Sequence, residues 1–238
     1  KQLGGEEELA VEHGIGSCLS QMGEFQAALG HQKHCVELVV ALCGKDSVEH
    51  VDQQMGLANL YHNLKQWDAC LASLLEAKDI LERGSWSAIE EYGVILYLLG
   101  RLESGQHRYD VAIQWHNKVE AVLCNFKDGI EYSRLLAEIA VCHKEIGDLN
   151  SAVLLFEKAV ELKLKLVGAT HPEYAACAEC LAVTLFDLKR FDEAISRYEE
   201  ALLIWKSVHG DNHPTSVKCM DDLEQARVRQ ADPSSVSE

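Results

Sequence analysis

The sequence predicts an all-α chain, a solenoid of about five helical hairpins closed by a C-terminal capping helix. Three observations carry this. Apolar residues recur at the helical period, as in Ile15, Leu19 and Met22 or Leu57, Leu60, Tyr61 and Leu64. Small residues return at a nearly fixed interval: Ala28, Cys70, Ala112, Ala152 and Ala194 are separated by 42, 42, 40 and 42 positions. Only three prolines (Pro172, Pro214, Pro233) fall in 238 residues, which leaves long stretches free to be helical.

Each copy reads as a helix A, a polar corner and a helix B. Three further columns keep register with the small one. Three places before it stand Phe25, Trp67, Tyr109, Leu149 and Phe191; twelve before it, Gly16, Ala58, Gly100, Ala140 and Ala182; seven after it, Cys35, Ala77, Val119, Ala159 and Ala201. Small side chains let helices A and B approach closely, and the large residue beside them fills the next gap. Gly23-Glu24, Lys65-Gln66, Gly147-Asp148 and Lys189-Arg190 are the corners. Between copies, Gly168 to Pro172 and Gly210 to Pro214 read as helix stop and helix start: Gly takes the left-handed ending conformation and Pro suits a first turn. The first two linkers depart, with Ser47-Val48 where His-Pro would stand and an unrelated Arg83-Gly-Ser-Trp. Copy 3 departs most, placing Glu103 at an otherwise Leu, Tyr or His position. Residues 215–230 carry Val217, Met220 and Leu223 on one face, as a terminal cap does. Residues 1–230 are therefore expected to be a single repeat domain, with 231–238 as a frayed tail.

Composition narrows the function. The net charge is −16, and no Lys/Arg run exceeds two, so nucleic acid and anionic membranes are poor partners. No apolar stretch approaches the roughly 18 residues of a membrane span, which argues against insertion. No basic-then-apolar leader begins the chain, and nine cysteines without a compact spacing fall mostly in apolar helical stretches. Both point to a reducing compartment and a cytoplasmic address.

The columns resemble the tetratricopeptide repeat, and the 42-residue spacing with VGATHPEYA and HGDNHPTSV linkers resembles the kinesin-light-chain-like subtype. The resemblance covers residues 9 to about 215. It implies a right-handed superhelix with A helices on the concave face, acting as a non-enzymatic adaptor or scaffold that takes a peptide or helical segment of a partner protein. A regulatory or substrate-docking domain of a larger enzyme is the alternative. Self-association through an open end is conceivable but nothing indicates it.

No phosphate loop, nucleophile elbow or metalloprotease helix is present, and neither a cofactor nor a metal is expected. Cys177-Ala-Glu-Cys180 lacks the second pair or βαβ setting that redox or zinc chemistry needs. His31, His34, Cys35 and Glu37 share a helix face but fall near the packed column. By the resemblance, peptide-binding residues are those that the A helices turn into the groove: Met55, Asn59, His62, Asn63, Tyr97, Leu98, Arg101, Arg134 and Lys144. Amides can bond an extended backbone in both directions, and Arg can grip a carboxylate. The cations stand near Glu138 and Glu145, and Met55, Tyr97 and Leu98 supply an apolar border. The Lys and Asn that relatives use to hold chaperone C-termini are missing, since His13, Ser17, Gly56, Val94 and Leu98 occupy those places. Gly14 and Gly56 share a repeat position at which something is expected to approach the backbone.

Overall fold

A computed structural model describes residues 2–84, 89–122 and 129–231; the Ser-Trp of the second linker and most of the expected tail lie outside them. The described residues form eleven α-helices and no strand. They fall into two compact units, 1–122 and 123–238. The first holds three hairpins: α1 (Gln2–Gln21) with α2 (Phe25–Cys43), α3 (Val48–Asn63) with α4 (Trp67–Arg83), and α5 (Ile89–Gly105) with α6 (Tyr109–Val122). The second holds α7 (Ile130–Glu145) with α8 (Leu149–Val167), α9 (Pro172–Asp187) with α10 (Phe191–His209), and a last helix, α11 (Pro214–Ala231).

The small column is the buried seam of every hairpin. Ala28, Ala112, Ala152 and Ala194 are fully buried and Cys70 nearly so. Their partners twelve residues earlier are buried too, and the Cys70 thiol donates to the Ala58 carbonyl at 3.2 Å. Such a distance needs two small residues face to face. The aromatic column is half-buried, filling the space at the start of each B helix.

All five corners have one geometry. Residues 23, 65, 107, 147 and 189 take positive φ, between 57° and 87°. In each, that residue's N–H reaches back three residues and the next N–H reaches back five, as in Lys65 to His62 and Gln66 to Tyr61. This closes off the last carbonyls of helix A. Gly occupies only two of the five places; Lys65, His107 and Lys189 hold the left-handed conformation against its steric cost. Arg108 of the third corner also pairs its guanidinium with Glu103, which explains how a carboxylate tolerates a buried site in copy 3.

Linkers end and start helices as the sequence suggests, with one substitution of chemistry. Gly44, Gly168 and Gly210 all turn with φ near 90°. His171 and His213 accept, through Nδ1, the N–H of the residue two places on, and so cap α9 and α11. Ser47 does the same work for α3, accepting from His50 N–H at 3.2 Å. The departure at Ser47-Val48 therefore changes the residue and keeps the cap.

Four residues after the small column comes the large filler: Gln32, Leu74, His116, Phe156 and Tyr198, all buried. Gln32 lies over Gly56 of the next hairpin, where a Cβ would collide with its amide, and bonds the Gln53 carbonyl at 3.1 Å. What approaches Gly56 is thus the neighbouring repeat; beside Gly14 there is open space. His116 presses on Gly100 in the same manner, fully buried, with neither ring nitrogen hydrogen-bonded among the described residues. Burial, with a smaller push from Arg101, lowers its imidazole to about 4. The fold therefore favours neutral His116: this contribution is whole above pH 6.5 and is lost as pH falls from there through about 4. Replacing His116 by Leu, the residue at the same place in α4, is expected to raise stability by about 1–3 kcal/mol, the cost of leaving buried polar atoms unbonded. The variant should also lose part of the wild-type decline in melting temperature across that pH interval. An equal decline in both proteins would contradict the assignment.

Candidate functional site

On the A helices of the first unit, α3 and α5 lie on either side of α4 in the packing. Helical spacing puts Asp52, Met55, Asn59, His62 and Asn63 along one face of α3, and Glu91, Val94, Leu98, Arg101 along one face of α5. Four of the expected site residues meet at one place. Asn59, His62, Leu98 and Arg101, together with Ala58, Cys70 and Leu74, line a small, open pocket. Its floor is apolar and its rim is amide, imidazole and guanidinium. The described residues that line it carry no carboxylate.

The rim groups are positioned by their neighbours. The His62 ring stands edge-on to Trp67, with centroids 5.4 Å apart, so the half-buried aromatic of the corner fixes the imidazole. Burial and then the nearby Arg101 charge push His62 below its ordinary value. The Arg101 guanidinium lies over the Tyr97 ring, 5.9 Å from its centroid, which joins the expected cation and aromatic on α5. Asn63 turns back and donates to the Asn59 carbonyl at 2.8 Å, serving its own helix. Met55 and Leu98 are half-buried against the core cluster of this unit.

Arg134 and Lys144 belong to the second unit, where each is tied to neighbouring helices. Arg134 bridges Glu131, at 2.9 Å, and Glu173 of α9, at 2.6 Å. Lys163, almost wholly buried on α8, reaches the other oxygen of Glu173 at 3.0 Å. Hydrogen bonds from Arg134 and Lys163 hold the Glu173 carboxyl at about 2. Lys144 is 3.6 Å from Asp187. These cations hold A helices together as well as facing outward. A signal for them stands in the sequence: twenty-one residues before each small residue is Glu7, Glu49, Glu91, Glu131 or Glu173. In α3, α7 and α9 that Glu lies in the first turn, where the helix dipole favours it. In the second unit Arg134 spans two successive rungs of the row. In the first unit Asp52 holds the equivalent place, and its carboxyl is pushed up by burial and by Glu91 and Glu49.

Among the described residues, no group of three or more His, Cys, Asp or Glu side chains is arranged to hold a metal. His31 pairs with Glu12 at 2.7 Å and His34 with Glu8 at 3.2 Å, joining α2 to α1, and Cys35 is fully buried. Cys177 is buried whereas Cys180 is exposed, and the eight described cysteines are free thiols. No described helix is long and apolar enough to cross a membrane.

Antiparallel helix pairs repeated about a small-residue seam define a helical-repeat protein. Two tetratricopeptide-repeat family models match it, one over residues 134–173 and one over 174–236. Residues 134–236 are thus recognised as tetratricopeptide repeats. No curated protein matches the chain in sequence. Among solved structures, it is similar to BtubC (BKLC) of P. vanneervenii at 17% identity, covering 87% of this chain and 85% of that one, with a TM-score of 0.77. It is similar to TPR-like repeats of Podosopora anserina described as a kinesin light chain, at 19% identity over 84% and 96% of the two chains, TM-score 0.72. Aspartyl phosphate phosphatase F of Bacillus subtilis matches at 13% identity over 97% of this chain and 62% of its own, TM-score 0.77. Identities this low speak for the fold alone.

The Glu173 network gives a test of the second unit. Glu173→Gln strands the Lys163 ammonium in a buried site, and such losses cost about 3–5 kcal/mol. Adding Lys163→Met should recover most of the stability. Because the carboxyl is depressed in the fold, its contribution is present above pH 4.5 and lost as pH falls through about 2. Urea titrations of both variants at neutral pH check this; equal losses in the single and double variants would contradict the pairing.

Proposed function

We propose that this chain is a non-enzymatic protein-interaction module that takes a peptide or helical segment of a partner on the A-helix face. The observation that supports this best is the α3–α5 pocket, where Asn59, His62, Leu98 and Arg101 converge from two repeats above an apolar floor. Met55, Asn63 and Tyr97 extend the same surface in the first unit; in the second, Arg134 and Lys144 stand on α7 at the places of Asp52 and His62. Such a surface offers amide donors and acceptors for a backbone, an apolar border for one large side chain and cations for acidic ones. The subtype with 42-residue repeats and His-Pro linkers is the reading we favour, in keeping with similarity to repeats described as a kinesin light chain. Kinesin-light-chain-type grooves take tryptophan-acidic peptides, and this face carries the matching chemistry. A cytoplasmic location fits free, mostly buried cysteines.

A second reading has its own support. Similarity to a phosphatase-named protein, and to the tetratricopeptide sensor of a signal-transduction ATPase of Pyrococcus horikoshii of which the match covers 34%, fits a regulatory domain within a larger enzyme. The face and its residues would be the same.

Buried anchors dominate such contacts, with losses of about 2 kcal/mol or more on truncation. Asn59→Ala and Tyr97→Ala are therefore expected to weaken partner binding at least tenfold while leaving the melting temperature near that of wild type. Lys158→Glu, an exposed change on helix B of copy 4, should leave binding unchanged. It is a cleaner control than Lys78, which is engaged with Glu82 at 2.8 Å. Binding lost in the Lys158 variant and normal in both others, measured by titration against the purified partner, would move the site to the B-helix face.

A further inference from the structure

Every A helix after the first hides the same face. The places seventeen, thirteen and ten residues before the small column are buried in α5, α7 and α9, as Leu135, Ile139 and Cys142 are in α7, and the series continues buried in α11. In α3, Leu57 and Leu60 are buried at the last two of these places. The B helix of the preceding copy covers the face. Leu29 of α2 shares a core cluster with Leu57 and Leu60, and the Cys219 thiol of α11 reaches the Tyr198 carbonyl of α10 at 3.7 Å. In α1 the same three places hold Val11, 60% exposed, Ile15, 41% exposed, and the exposed Cys18. Two further features of the covered face have counterparts in α1. Over Gly56 of α3 lies Gln32 of α2, in the space that a Cβ would need; beside Gly14, at the same repeat position, there is open space. Glu173 at the start of α9 receives the Lys163 ammonium of α8 at 3.0 Å; Glu7, at the same repeat position, is exposed.

We propose that α1 is a docking surface for one amphipathic, basic helix of a partner protein, lying antiparallel to α1 as each B helix lies on the A helix that follows it. The B helices within the chain specify its chemistry. It carries apolar residues at i, i+3 and i+7, as Val153, Phe156 and Val160 do in α8, and a Lys or Arg at i+10, as Lys163 does. Val11, Ile15 and Cys18 take the apolar residues, Gly14 leaves room for the large one at i+3, and Glu7 meets the cation. The antiparallel direction brings the last turns of the incoming helix to the first turns of α1, and a helix dipole favours a cation at that end. Charge decides between occupants. From Gln2 to Gln21, α1 carries Glu6, Glu7, Glu8 and Glu12 and no Lys or Arg. A second copy offering its own α1 would set acid against acid, whereas a basic helix meets complementary charge. An apolar helix face laid against another in this way is a recurrent mode of peptide recognition. None of the residues that line the α3–α5 pocket takes part, so this surface is additional to the A-helix face.

The test uses the full chain and a fluorescently labelled synthetic peptide with the sequence of α8, residues 149–167, which carries the whole pattern. Anisotropy titration is expected to show saturable binding. Val11→Glu and Ile15→Glu, both at exposed places, should each weaken it about tenfold or more while the melting temperature stays at the wild-type value. Gly14→Leu, which fills the open space, should weaken it likewise and melt at or above wild type. Glu7→Lys should weaken the peptide about fivefold, and Lys163→Glu in the peptide should restore binding to that variant. A peptide with Val153→Ser and Val160→Ser should not bind. No saturable binding to the wild-type chain, or binding by Val11→Glu and Ile15→Glu equal to wild type, overturns the proposal. So does a wild-type chain that sediments as a dimer and becomes a monomer in Val11→Glu, because the occupant is then a second copy.

Discussion

Helices A and B of each hairpin touch where neither carries a side chain larger than a methyl or a thiol, and the remaining geometry follows from that contact. In copy 2 the Cys70 thiol reaches the Ala58 carbonyl, and in copy 1 the Ala28 carbonyl lies 3.8 Å from where a Cβ on Gly16 would stand. Two helices held this closely must reverse within a three-residue corner. That is why residues 23, 65, 107, 147 and 189 all take the left-handed conformation, even where the residue is Lys or His. The seam also fixes which faces remain outside. With the small column buried, the positions eleven and eight residues before it, Asn59 and His62 in copy 2, fall on the surface next to the following A helix.

Large fillers complete each seam, and here the two units differ in chemistry. The second uses Phe156 and Tyr198 within one continuous apolar cluster. The first uses Gln32, Leu74 and His116, with glycines at 56 and 100 making room for the polar pair. Gln32 is satisfied by Gln53, whereas His116 finds no partner among the described residues. A polar residue at a core position weakens the fold unless bonded. The first unit thus has a less apolar core directly behind the face that carries the pocket, since His116 and Tyr97 lie 5.8 Å apart by ring centroid.

Much of this was legible because repetition turns packing into columns. Five aligned copies mark the seam, the corner and the filler without any knowledge of the third dimension. The Asn59, His62, Leu98 and Arg101 grouping was legible in the same way, as adjacent A helices read in register. Other features required contacts between residues far apart in sequence. Arg134 looked like an outward cation until Glu173, 39 residues on, met it; the row of glutamates that foreshadows this pair is visible only when the columns are extended twenty-one places back. Gly56 suggested a close approach to the backbone without saying by what, and the approaching group is Gln32 of the neighbouring hairpin. Ser47 looked like a lost His-Pro linker, yet a hydroxyl caps a helix as well as an imidazole does.

The central claim is that the small column sets the helix A to helix B distance in every copy. Thermal melting of Ala152→Leu and Ala194→Leu tests it most directly, because both alanines are fully buried at the seam. Overpacking a close contact costs about 1–3 kcal/mol, and each variant should melt several degrees below wild type, with helical content retained. Melting temperatures equal to wild type in both variants would mean that the seam can open without loss, and would contradict the repeat register on which the pocket depends.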